Sequence, residues 1–432
     1  MKTFPIVSAL FLLLALGAQS CLKDSCERTV TYIRLDPVYK TLEEVHSTTV
    51  TREAPRELNT PGQINYYDNK MFIVEKGEGV HVIDNNNPSN PVNTDFLNVP
   101  GITDLAIKDG YLYVNSYVDL LAINLQTFVV EGRTQNVLQP LWYSPLDYSI
   151  IVDYTETEVT EVMSCEEVSQ LIFADGIAYK GGAEFAGDLM SAAQINSSGN
   201  SPRASSGTGI GGSLSHFTII NDYLYTIQHD GYFMEIYDLT QPTAPTHAGQ
   251  VEVGVHLETL FPYGDKLFIG SNVGMYIYDN SDPLHPVQLS VFEHARACDP
   301  VFVNDHYAYV TLWDGSACGA GPNQLDVIDI ADLTNPVLVK SFPMLNPHGL
   351  SVKENRLLLC EGNHGLEVYD NTNPATVGNN LLGKADNFNA IDVISLPGNK
   401  DIAMVIGNDG FYQFDFSNPA DLKLLSVIHV KQ

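Results

Sequence analysis

Residues 266–291, KLFIGSNVGMYIYDNSDPLHPVQLSV, constrain this chain more than any other stretch, because their pattern recurs along most of its 432 residues. The pattern is two short strands, an acidic residue, a Pro-closed turn and a third strand. Leu267-Phe268-Ile269 and Met275-Tyr276-Ile277-Tyr278 alternate as a pleated surface requires, Gly270 and Gly274 bracket the turn between them, and Asp279-Asn280-Ser281-Asp282-Pro283 makes the exit. One such unit cannot bury both its faces. Several side by side can, so a repeat of this size predicts a solenoid or a propeller.

The recurrence is followed most easily through the strand that ends in the acidic residue. Its copies are Val80-His81-Val82-Ile83-Asp84, Leu121-Ala122-Ile123-Asn124, Met234-Glu235-Ile236-Tyr237-Asp238, Met275-Tyr276-Ile277-Tyr278-Asp279, Leu325-Asp326-Val327-Ile328-Asp329, Leu366-Glu367-Val368-Tyr369-Asp370 and Phe411-Tyr412-Gln413-Phe414-Asp415. The terminal residues are spaced by 40, 114, 41, 50, 41 and 45 positions, which fits four-stranded units with one large interruption. A ring protects edge strands that an open stack would leave bare. The expected fold is therefore all-β: a seven-bladed β-propeller of four-stranded antiparallel blades, with one long insert, about residues 137–212, after the second blade. An extra blade within that insert is the alternative to a count of seven. Six of the seven copies run on to a Pro, as in Asp84-Asn85-Asn86-Asn87-Pro88, so these Asp residues read as turn formers rather than catalysts.

On these copies the chain resembles the LVIVD-repeat family of bacterial and archaeal surface proteins, whose eponymous motif aligns with Leu325-Asp326-Val327-Ile328-Asp329. Asp326 stands where the family has its second apolar residue, and Asn124 replaces Asp in the second copy. The resemblance covers about residues 63–430 apart from the interruption. It implies a β-propeller and a surface location; it brings no established activity and no catalytic residues.

The N-terminus carries Lys2, an apolar run over residues 4–16 and then Gly17-Ala18-Gln19-Ser20-Cys21. Residues 1–20 read as a secretion signal too short to span a bilayer as a helix. Small residues before Cys21 resemble a lipobox of a Gram-negative lipoprotein, which makes Cys21 the expected lipidation site. Residues 21–47 then become a lipid-anchored tether and residues 48–432 the propeller, with residues 48–58 as an edge segment beside the last outer strand, residues 422–430. The expected location is the outer membrane or cell surface. An exported chain favours disulfides. Cys298 and Cys318 flank one pair of expected strands and form the expected bridge, Cys26 and Cys165 lie outside the regular repeats and can join tether to insert, and Cys360 reads as a buried small hydrophobe.

Acidic residues outnumber basic ones 52 to 22, for a formal charge of −30, which repels nucleic acid and bare anionic lipid. Membrane attachment is then expected only through the lipid. Aligning the repeats places one polar column where the chain enters the innermost strands: Gln63, Asp104, His216, Glu258, Asp299, His348 and Asp392. In a propeller these positions ring the mouth of the axial channel and are the expected ligand-binding residues. Two imidazoles and four carboxylates can hold Ca2+ or another divalent cation, although the spacing carries no metal signature and no cofactor is otherwise expected. The chain lacks G-x-S-x-G, H-E-x-x-H, C-x-x-C and phosphate-loop sequences. Gly209-Ile210-Gly211-Gly212 lies in the polar stretch NSSGNSPRASSGTGIGGS, which reads as a flexible loop rather than a phosphate site. The reading that follows is a cell-surface binding or protein-interaction module for a surface ligand, glycan or protein. The alternatives are a propeller hydrolase or lyase working on an extracellular polymer through Asp299, His348 and Glu258, or a purely structural surface protein.

Overall fold

The computed structural model describes residues 26–140, 143–144, 147–174, 177–180, 207–211, 215–227, 231–254, 256–271, 273–294, 300–304, 306–313, 322–398 and 400–431. Among these the chain forms eight sheets in two compact units. The larger unit comprises the described part of Val38–Asp153 and Gly187–Gln432, the smaller that of Met1–Pro37 and Tyr154–Ala186.

Seven sheets in the larger unit are the sequence repeats. Repeat 4 shows the plan: strand a, Leu257–Tyr263; strand b, Lys266–Ser271; strand c, Gly274–Asp279; and strand d, Val287–Glu293, paired antiparallel in that order. The other sheets span residues 61–98, 105–134, 217–252, 301–343, 350–385 and 392–429. Each of the seven strand copies picked out from sequence is strand c of its sheet. All seven terminal residues close the same turn: Asp84, Asn124, Asp238, Asp279, Asp329, Asp370 and Asp415 each accept the backbone N–H two residues on, at 2.7–2.9 Å. The six carboxylates among them are spent on turn geometry, as their place before Pro implies, and the Asn124 side-chain oxygen does the same in repeat 2.

The residue after the acidic one reaches the preceding sheet. Asn280 bonds Tyr225 Oη of repeat 3 at 2.8 Å, Asn371 bonds Tyr309 of repeat 5 at 2.7 Å, and Asn85 exchanges amide hydrogen bonds with Gln413 of repeat 7 at 2.8 and 2.9 Å. Where that position is apolar, Leu239, Ile330 and Phe416 bury in the same direction. Clusters of buried side chains join repeat 1 to 2, 2 to 3, 3 to 4, 4 through 5 to 6, 6 to 7 and 7 back to 1. Each sheet thus hides both faces against its neighbours, the burial that one unit alone cannot achieve. Leu58 pairs in parallel with Val430 at the join between repeats 7 and 1.

Three features differ from the sequence reading. Repeat 1 has six strands: Thr51–Glu53 adds to its outer strand, and Ile210–Gly211 to strand a. The segment expected as a tether carries strand Glu27–Lys40 and helix Leu42–His46, the latter closed by a Thr41/Glu44 capping box. Much of the insert likewise has regular structure. Ile150–Ser164, Ile172–Ala174 and Ile177–Lys180 join Glu27–Lys40 in the eighth sheet, with a parallel pairing at Ile33 and Tyr179. In this smaller unit a disulfide links Cys26 to Cys165 over a short core of Tyr32, Met163, Leu171 and Ala178. Cys21, Cys298 and Cys318 lie outside the described residues, and Cys360 is buried with a free thiol.

Candidate functional site

Six members of the polar column lie at the lead-in to strand a of their own repeats. Gln63 and Glu258 lie in the first residues of their strands, Asp392 opens Asp392–Ser395, and Asp104, His216 and His348 stand one or two residues ahead. Asp299 lies outside the described residues. Burial departs from an open carboxylate rim: Asp104, Glu258, His348 and Asp392 are 1%, 5%, 6% and 0% exposed, while Gln63 and His216 are half-buried.

The structure brings Asp104 and His216 together across repeats 2 and 3. Asp104 accepts the His216 backbone N–H and faces its Nδ1 at 3.3 Å, and it also receives Leu105 N–H at 2.6 Å and Ser215 Oγ–H at 3.3 Å. His348 instead sits against the Trp313 ring, centroids 4.5 Å apart, with Nε2 3.1 Å from Asn346 Oδ1 and no partner on Nδ1. Burial pulls its imidazole down to about 4, so it is neutral at pH 7. Asp392 accepts Val393 N–H at 2.6 Å through one oxygen, the other has no partner, and burial pushes its carboxyl up to about 8. His348 and Glu258, on which a hydrolase would depend, are therefore walled in. Among the described residues no group of three or more His, Cys, Asp and Glu is arranged to hold a metal ion.

A further set of lead-in contacts escapes the sequence column. Glu75 accepts the amides of Asn59 and Thr60, Asn115 those of Thr103 and Asp104, and Glu361 those of Leu345 and Asn346. Each of these residues stands nine positions before the Asp or Asn that ends its own strand c, so the period was available in the sequence although the partner amides were not. In repeat 1 buried Glu75 meets His81 Nε2 at 2.9 Å. Burial raises its carboxyl, but His81 and the Thr60 and Asn59 amides outweigh that and leave it below the usual range. The place of His81 is taken in repeat 6 by Glu367, which is held by Tyr369 Oη–H. Glu361 there is pushed up to about 7, first by burial, then by the Glu367 charge, against the pull of the Asn346 amide.

The first strands of repeats 1 to 4 also border a small recess that is open to solvent. Asn65, Ile107, Ser215 and Phe217 line it, and residues 208–211 run along one wall. Asn65 is 4% exposed and its Oδ1 has no hydrogen-bond partner.

No protein-family model matches the chain, and no curated protein matches it. Among solved structures it is similar to the computationally designed Ika8 protein, at 9% identity over 87% of this chain and 89% of that one, with a TM-score of 0.49. It is similar to KlHsv2 with loop 6CD replaced by a Gly-Ser linker, at 10% identity, 85% and 99% coverage and a TM-score of 0.47. It is also similar to the Cps50 (Swd1) beta-propeller domain of Myceliophteria thermophila, at 10% identity, 76% and 85% coverage and a TM-score of 0.44. None of these bears on ligand or activity; the architecture stands on the strand pairing and buried clusters described above.

Proposed function

We propose that the chain is an exported, lipid-anchored β-propeller of the LVIVD-repeat kind, its seven repeats acting as blades, and that it serves as a binding or protein-interaction module at the cell surface. The observation that carries this reading is the cycle of buried clusters running from repeat 1 through repeat 7 and back. A cyclic stack of small sheets offers loops and inner strand ends from many repeats to one ligand, whereas Asp104, Glu258, His348 and Asp392 are buried and the acids that end each strand c are engaged in turns. The Cys26–Cys165 disulfide suits an oxidising compartment, and the charge of −30 suits an exposed surface. Cys21 is the lipid attachment point, and Gln63 and His216, the half-buried members of the polar column, are its contact residues. Two measurements test the reading. Fatty-acid labelling in a Gram-negative host is expected for the wild type and lost in Cys21→Ala; equal labelling refutes the anchor. Binding to a glycan array or to surface proteins is expected to fall in a Gln63→Ala, His216→Ala double variant that keeps its melting temperature; unchanged binding refutes the lead-in ring as the contact.

A further inference from the structure

The Gly-rich end of the insert is a bound strand. Ile210 and Gly211 pair antiparallel with Tyr66 and Asn65 on strand a of repeat 1, and Thr208 pairs antiparallel with Lys108 on strand a of repeat 2. Two backbone bonds, Asp109 N–H to Gly207 O and Gly209 N–H to Ile107 O, both 2.8 Å, complete the second seam. The segment therefore bridges the inner edges of two neighbouring sheets.

Its alternating residues explain the fit. A methyl group built on Gly209 would collide with Asn65 Oδ1 and stand 3.0 Å from Ile107 Cβ; one on Gly207 would collide with Asp109 Oδ1; one on Gly211 would stand 3.3 Å from Asn65 Nδ2. Between them Ile210 packs on the cluster joining repeats 7 and 1. Main-chain hydrogen bonds with pockets for alternate residues are the chemistry of strand addition. The unpartnered Asn65 Oδ1 faces this strand inside the recess.

We propose that the inner edges of repeats 1 and 2 form an acceptor for an extended peptide with glycine at alternate positions around one apolar residue, and that residues 207–211 occupy it in cis. A tethered strand competes at high effective concentration, so the acceptor takes a peptide in trans only when its own strand is out.

The test uses the full chain and the labelled peptide SSGTGIGGS, followed by fluorescence anisotropy, with SSGTVIGGS as control. In the wild type no saturable binding is expected, and hydrogen exchange should find the Gly209 and Asp109 amides protected. Ile210→Asp removes the apolar anchor, and should expose both amides and bind the glycine peptide at least about tenfold tighter than the valine one. Gly209→Val serves as the second variant if the first fails to fold, with the same expectation. An unprotected Gly209 amide in the wild type, a strand that stays seated in Gly209→Val, or a folded variant that binds neither peptide or both alike would each overturn the proposal.

Discussion

Glu75 and Glu361 show how far one neighbour decides what a buried carboxyl does. Both close the loop into strand a of their own sheet by accepting two successive amides, yet one faces His81 and the other Glu367. The pairing in repeat 1 keeps a charge; the one in repeat 6 disfavours it. For Glu361 and Asp392 the folded form binds its proton more tightly than the unfolded form does. Their contribution is therefore full below about pH 4 and is lost as pH rises toward about 7 and about 8. His348 has the opposite sign, losing stability as pH falls toward about 4. Denaturant melts of wild type and Asp392→Asn between pH 5 and 8 should show the difference moving steadily in favour of the Asn variant, by up to about 4 kcal/mol. A pH-independent difference would mean that Asp392 carries no proton at neutral pH. Glu367→His should similarly flatten the slope by giving Glu361 the partner that Glu75 has.

At the scale of the element, strand d of one sheet is shaped by the turn of the next. Methyl groups on Gly132 and Gly383 would strike the carbonyl oxygens of Thr243 and Pro419, while Ser290 and Ser426 donate to the carbonyls of Leu333 and Pro88 at 2.6 and 2.7 Å. A small residue here lets one backbone lie against another, which is why these positions hold Gly or Ser inside strands that otherwise disfavour glycine. Gly383→Val should cost about 1–3 kcal/mol by overpacking, read as a lowered denaturation midpoint, whereas the same change at Gly398, which has open space around it, is governed only by its φ of +86°. The smaller unit is an element of a different kind, with little apolar surface and a disulfide in its place. Cys165→Ala should open that sheet first, seen as faster hydrogen exchange in Glu27–Lys40 while the repeats keep their protection.

For the whole molecule the seam between repeats 7 and 1 matters most, because it is the joint made by residues hundreds of positions apart. Asn85 and Gln413 bond each other reciprocally, and Gln413 Nε2 and Ser426 Oγ both reach Pro88 O. Removing one amide leaves its buried partner unsatisfied at about 1–3 kcal/mol, while removing both costs less than the sum. Asn85→Ala, Gln413→Ala and the double variant, measured by urea unfolding, should show that positive coupling; strict additivity would mean the two side chains do not meet. Local chemistry was enough to write the repeats into the sequence: alternation, an Asp or Asn closing its own turn and, in six copies, a Pro after it act within a few residues, so strand c is legible in every copy. Even the lead-in column follows from the period. What the sequence could not decide were the contacts whose partners are distant or outside the period: Glu27–Lys40 lying beside residues of the insert, the Gly-rich loop seated as a strand on repeats 1 and 2, and the burial that turns a polar rim into enclosed acids. Pairing between remote strands depends on which edge is left open once the sheets have packed, and burial depends on what closes over a residue. Neither is a property of the residue or of its neighbours in the chain.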